Sequence, residues 1–144
     1  MTTPGPIDAV VAVIRRAGRF LFVRRAPDLV GGGFWAPVSG KIEADETHEA
    51  AVRREVREEL GVEAVAVTKI AELLTDDGSY RLHYWRTALR GGEPRIASDE
   101  ATALRWLTLE QLRELQPTFE DDVRVCAAEE LEERARPEGR ETPP

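Results

Sequence analysis

The stretch that most restricts what this chain can become runs from Gly40 to Val62, GKIEADETHEAAVRREVREELGV. A glycine in a loop opens it, an amphipathic helix follows, and Leu60-Gly61 is a helix stop signal. On a wheel of about 100° per residue, Val52, Val56 and Leu60 form an apolar stripe about 80° wide. Glu55, Glu58 and Glu59 gather in the adjoining arc, with Glu59 at the edge of the stripe. Arg54 stands one turn before Glu58, where the two can pair. Three carboxylates beside a buried face repel one another. Two charges about 5 Å apart at an effective dielectric of about 20 do so by about 3 kcal/mol. A hard divalent cation with oxygen ligands would reverse that sign. The competing reading is a solvated acidic face, since Glu, Arg and Ala are all good helix formers.

The rest of the chain predicts one domain. Its 144 residues can bury a real core, and 42% hydrophobic with 33% charged residues is the balance of a soluble globular protein. No apolar run is long enough to span a bilayer, so no membrane partner is expected. The chain opens without a charged-then-apolar leader, and its one cysteine excludes an internal disulfide and a cysteine zinc cage; both suit a cytoplasmic protein. A net charge of −7 without a basic block argues against duplex nucleic acid, and an anionic ligand would need a metal or local arginines.

Residues 1–6 read as a flexible leader, 7–135 as the domain and 136–144 as a disordered tail. Ile7 to Ile14, valine-rich and apolar on both faces, predicts a central strand, and Phe20 to Arg24 a returning one. Pro27 to Gly33 is a loop whose three glycines serve either flexibility or close approach of the backbone. Ala64 to Leu74, Tyr80 to Leu89 and Ala103 to Leu107 read as strands. Thr108 to Gln111 resembles a capping box opening a short helix, and a last helix runs from about Phe119 to Arg134. Its apolar face is expected to carry Phe119, Val123, Cys126, Ala127 and Leu131. Strands, helix, strands and helices in this order predict an α/β (α+β) fold with a mixed sheet and helices against it.

The spacing Gly40, five residues, Glu46, seven residues, then Arg54-Glu55-Val56-x-Glu58-Glu59-x-Gly61-Val62 resembles the Nudix box at every defined position. Nine fixed or class-restricted positions over 23 residues are far more specific than a lone glycine motif. Phe34-Trp35-Ala36-Pro37 stands where that family has Trp-x-x-Pro before a glycine pair; here Val38-Ser39-Gly40 follows, without the first glycine. The resemblance implies an α/β/α sandwich and hydrolysis of a nucleoside diphosphate linked to another group, with Mg²⁺ or Mn²⁺. Position by position it implies Glu55, Glu58, Glu59 and the carbonyl of Gly40 as metal ligands, with Arg54 and Glu46 orienting them. The general base is left among Glu55, Glu58 and Glu100, and Glu100, in the loop before the last strand, is also a candidate ligand for a second metal. Arg25, ending the second strand, resembles an arginine that faces the phosphates. Trp35 and Tyr80 are candidate base contacts; Tyr84 and Trp85 are weaker ones, and Trp106 is expected in the core.

The expected substrate is a small-molecule nucleotide, first of all a nucleoside triphosphate cleaved to a monophosphate and pyrophosphate by a monomer or homodimer. ADP-ribose hydrolases of the family carry a proline about sixteen residues past the box, where this chain has Gly78. Dinucleoside polyphosphate hydrolases carry a tyrosine near there, and Tyr80 keeps that alternative, like a nucleotide-sugar substrate, open. Cys126 is placed as a small core residue and not as the nucleophile of an isomerase. His48, in an exposed first turn, and His83, mid-strand, read as structural. A sensing module that binds nucleotide without cleaving it is the other class; the intact box argues against it.

Overall fold

Strand β1 (Ile7–Arg16) feeds both halves of the core. Side chains alternate across a strand, and here both faces are covered: Ala9 through Ile14 are all buried. Val10, Ala12 and Ile14 join Leu21, Val23 and Val38 against helix α1 (His48–Leu60), which contributes Ala51, Val52, Val56 and Leu60. Val11 and Val13 point the other way. They meet Phe20, Phe22, Tyr84 and Leu107, and beyond them Leu109 and Leu112 of α2 (Leu109–Glu114) and Val125 and Cys126 of α3 (Glu120–Ala135). The result is an α/β/α sandwich. The computed structural model from which it is described covers residues 4–136. Residues 1–3 of the expected leader and 137–144 of the expected tail lie outside the described residues.

The sheet is mixed, as the element order predicts. Strand β2 (Arg19–Arg25) returns antiparallel through a two-residue turn, Ala17 and Gly18, both in left-handed backbone. Strand β6 (Tyr80–Leu89) runs parallel to β1 from Ile7↔Tyr80 to Ile14↔Thr87, and β5 (Ala64–Leu74) flanks β6 as the edge. On the other side of the sheet β7 (Ala101–Leu107) and the short β3 (Trp35–Ala36) pair with β2.

Some local expectations are corrected, and one left open is decided. Gly40 lies in a strand rather than a loop: β4 (Val38–Lys41) pairs antiparallel with β1, Gly40 opposite Val10 and Ser39 opposite Val11. Val-Ser-Gly-Lys has little strand propensity of its own, so this strand exists because β1 offers its edge. Of the three glycines in the 27–33 loop, Gly31 and Gly32 serve close approach, whereas Gly33 takes left-handed backbone in open space. A Cβ on Gly32 would stand 2.5 Å from the carbonyl of Pro27, and one on Gly31 2.7 Å from the ring of Phe119. The inward face of α3 also differs from its apolar face. Leu131 is 68% exposed and Phe119 is exposed, whereas Asp122 and Glu129 are buried. Both acids have partners: the Tyr84 hydroxyl donates to Asp122 Oδ1 at 2.7 Å, and the Arg86 guanidinium donates to both oxygens of Glu129. Burial pushes Asp122 up to about 6. Cys126 is buried, with its thiol pushed up by that burial, as a core residue should be.

His48 is half-buried rather than exposed. Its ring lies 4.3 Å from that of His83, and its Nδ1 accepts from the indole Nε1–H of Trp85 at 3.3 Å. An indole nitrogen can only donate, so neutral His48 carries its proton on Nε2. His83 in turn bonds through Nε2 to Asp8 at 2.8 Å. Burial, then His83 and Lys69, hold His48 below its ordinary 6.5, against the opposite pull of Glu49 and Asp8. Between that lowered value and 6.5 the unfolded chain binds the extra proton. The contribution of neutral His48 to stability is therefore complete above about 6.5 and declines as the pH falls toward the folded value. His48→Asn keeps an acceptor for Trp85 and does not titrate. The melting-temperature advantage of the parent over this variant should shrink between about pH 7.5 and about pH 5.5; a difference constant across that range would show that His48 is not linked to folding.

Candidate active site

Docking of the α1 stripe sets the site. Val52, Val56 and Leu60 are fully buried, and they carry the neighbouring arc inward with them, leaving Glu55 9% and Glu59 5% exposed. Thr47 caps the helix by accepting the Ala50 N–H, and Gly61, in left-handed backbone, ends it. Glu55 lies against β4 so closely that a Cβ on Gly40 would collide with its carboxylate. The box glycine is thus required for close approach, not for its φ angle. Ser39 takes ordinary strand geometry, so the missing first glycine does not disturb the local backbone.

Arg54 holds the cluster from outside. Its Nε and Nη2 donate to the two oxygens of Glu46 at 2.7 and 2.9 Å, Nη1 to Glu55 at 2.9 Å and to Glu58 at 3.4 Å, and Nη2 to the carbonyl of Lys41 at 2.9 Å. This is the planar fork that a guanidinium alone provides. The Arg54 hydrogen bond keeps Glu46 below the usual carboxylate range, and Glu46 in return raises Arg54 further. Glu46 also accepts the Glu43 N–H at 2.9 Å, fastening the turn before α1.

Glu100 enters from the segment before β7. Glu55, Glu59 and Glu100 each present an oxygen within 4.8 Å of the others. Glu58 stays apart from these three: its side chain is 58% exposed and turned to Arg54. Burial first, then the bond to Glu55 and the charges of Glu55 and Glu100, push Glu59 upward. Burial raises Glu55 too, offset by Glu59 and Arg54. Two buried carboxyls this close disfavour the simultaneous ionisation of both, as like charges at this range do. Glu59 Oε2 is nevertheless buried without any partner. An all-oxygen donor set, an orphaned buried oxygen and an excess of negative charge fit a hard divalent cation.

The other expected residues are distributed around this cluster. Arg25 is half-buried, its charge felt by both Glu59 and Asp122, and its Nε donates to the carbonyl of Val30 at 2.8 Å. Trp35 packs half-buried on the second core, with the Arg105 guanidinium 5.8 Å above its ring. Tyr80 opens β6 beside Ile7, and its backbone closes the turn with Thr75. Tyr84 is core, Trp85 serves His48, and Trp106 lies half-buried beneath Arg16. Sequence reasoning missed two features. Phe34 and Phe119 stack at 4.6 Å beside the glycine loop, and the carbonyl of Lys41 is a fourth anchor of Arg54. No local pattern links residues so far apart in sequence as the two phenylalanines.

The NUDIX domain profile matches residues 5–129. The chain is 33% identical over 107 residues to the CTP pyrophosphohydrolase of Escherichia coli (strain K12), covering 73% of this chain and 78% of that protein. It is 39% identical over 95 residues to a putative 8-oxo-dGTP diphosphatase 2 of Mycobacterium tuberculosis, covering 63% of this chain and 64% of that protein. Among solved structures, the MutT protein from Methanosarcina mazei Go1 superimposes with a TM-score of 0.78 at 22% identity, over 92% of this chain and 99% of that one. The E. coli ORF135 protein does so with 0.73 at 29% identity, over 93% and 95%. The chain belongs to the Nudix family and is a Nudix hydrolase.

Gly40→Ala tests the close approach. Forcing a methyl into the space of the Glu55 carboxylate should destabilise by about 1–3 kcal/mol, read as a lower melting temperature, with loss of turnover. Ser39→Gly, in strand geometry, should cost only about 0.5–1 kcal/mol and keep turnover. Equal effects at the two positions would refute the steric account.

Proposed function

We propose that this protein hydrolyses a nucleoside triphosphate to a monophosphate and pyrophosphate in the cytoplasm, using Mg²⁺ or Mn²⁺. The observation that carries the reading is the Glu55–Glu59–Glu100 cluster, its first two members buried and Glu59 keeping an orphaned oxygen, beneath an intact Gly40-to-Val62 pattern. Glu55, Glu58, Glu59 and the Gly40 carbonyl would hold the cation, and Glu100 would add a ligand from the facing segment. Such a cation neutralises phosphate oxygens and makes water a stronger acid.

Arg54 and Glu46 keep the ligands in place: Nη1 of Arg54 donates to Glu55 and Glu58, while Nε and Nη2 are anchored on Glu46 and the Lys41 carbonyl. Arg25, between Glu59 and Asp122, is the cation for the phosphate chain. Trp35 and the stacked Phe34–Phe119 pair offer aromatic faces to a base. Glu58 and Glu100 are exposed, so either can pass a proton from attacking water to solvent; Glu55, locked between Arg54, Glu59 and Gly40, serves as a ligand. The names of the relatives point to triphosphates of different bases, cytidine in one and oxidised deoxyguanosine in the other.

A panel of nucleotides with Mg²⁺, with Mn²⁺ and with EDTA, products resolved by chromatography, tests the reaction. Release of pyrophosphate that stops in EDTA and resumes with metal is expected; undiminished turnover after chelation would refute the metal site. Because burial raises both Glu55 and Glu59, and a carboxylate must be ionised to hold a cation, activity should rise with pH. Glu58→Gln should lower kcat by about 10²-fold or more, without loss of melting temperature. Glu49→Gln, exposed at the start of the same helix, should match the parent. Parent-like kcat in Glu58→Gln at saturating Mg²⁺ would remove Glu58 from the site.

A further inference from the structure

The segment that delivers Glu100 is tied to the helix that carries the other carboxylates. After β6 the chain passes across the C-terminal turn of α1. The Arg95 N–H donates to the carbonyl of Leu60 at 3.0 Å, and the Ala97 N–H to the carbonyl of Glu59 at 2.8 Å. These carbonyls lie in the last turn, where a helix has no acceptable donor of its own. Ile96, between the two donors, packs against the first core. Downstream, the carbonyl of Glu100 accepts the Ala26 N–H at 2.9 Å, and Ala101 begins β7 opposite Arg25. On its other side the Glu100 backbone has one further hold: its N–H donates to Ser98 Oγ at 3.2 Å.

We propose that Ser98 is a positioning residue of the acidic cluster, its hydroxyl holding the Glu100 backbone so that the Glu100 carboxylate meets those of Glu55 and Glu59. The inference rests on the metal-site reading above. Glu100 is exposed, so no packing fixes its side chain, and its reach depends on the backbone that Ser98 holds. A ligand set must be kept to within about 0.5 Å by the groups behind it, and on this side the hydroxyl is the only side chain that does so among the described hydrogen bonds of Glu100.

Mn²⁺ binding to substrate-free protein, followed by electron paramagnetic resonance, tests this without turnover. Ser98→Ala should weaken binding by about three- to tenfold, the worth of one net hydrogen bond. Ser98→Thr, which keeps the hydroxyl, should restore it, and Ser98→Val, the same shape without the hydroxyl, should match Ser98→Ala. In a Glu100→Gln background Ser98→Ala should add nothing, because the carboxylate it positions is gone. A parent that binds no Mn²⁺ overturns the metal-site reading and this inference with it. A parent that binds Mn²⁺ while Ser98→Ala and Ser98→Val bind equally well overturns the role of Ser98 alone. An undiminished Ser98→Ala effect in Glu100→Gln protein would show that Ser98 acts through some other group, and would likewise overturn it.

Discussion

Glu55 occupies the space that a side chain at position 40 would fill, and the site is built around that contact. For the carboxylate to rest there, β4 must lie on β1 with Gly40 opposite Val10, and α1 must present Glu55 toward it. The first condition is met by β1, whose edge gives a weak four-residue segment its pairing. The second is met by Val52, Val56 and Leu60, whose full burial fixes the rotation of the helix about its axis. A carboxylate pressed against backbone in a buried place is unfavourable by itself. Arg54, whose Nη1 donates to Glu55 at 2.9 Å, offsets part of the cost. The α1 face of the sandwich is thus arranged so that an intrinsically repulsive group of acids is held in contact.

Much of this was legible in the sequence, because it depends on short spacings within one helix. The apolar stripe, the Arg54–Glu58 pairing and the place of Glu59 at the stripe's edge follow from the 3.6-residue period. The unbroken apolar run from Ala9 to Ile14 in β1 likewise announced a strand covered on both faces. What could not be read depends on partners distant in sequence. Nothing within Val38–Lys41 announces a strand, and nothing around Ser98 announces a bond to Glu100. The helical period groups Glu58 with Glu55 and Glu59, yet Glu58 faces outward, because Arg54 competes for it and solvent receives it.

The third helix shows the same limit from the other direction. Its apolar residues suggest one inward face, but Leu131 is left in solvent while Asp122 and Glu129 turn in. The sheet supplies the reason. Tyr84 and Arg86, on the same face of β6, would be costly to bury without acceptors, and the two acids of α3 are seven residues apart, two turns along one side of the helix. Amphipathicity measured by apolarity alone cannot see a helix whose inner face is partly a row of hydrogen-bond acceptors.

That row also defines where α3 stops along the sheet. Val125 and Cys126 are small and interchangeable, so their contacts would tolerate a slide of one turn, about 5.4 Å. The slide would strip Asp122 from Tyr84 and Glu129 from Arg86, and a buried ion pair that loses one partner is destabilised by about 3–5 kcal/mol. The polar pairs therefore act as detents, steps that allow the helix one seat and penalise every neighbouring one. Phe119 and the glycine loop it touches inherit that seat, so the placement of the aromatic pair is set from the far side of the sheet.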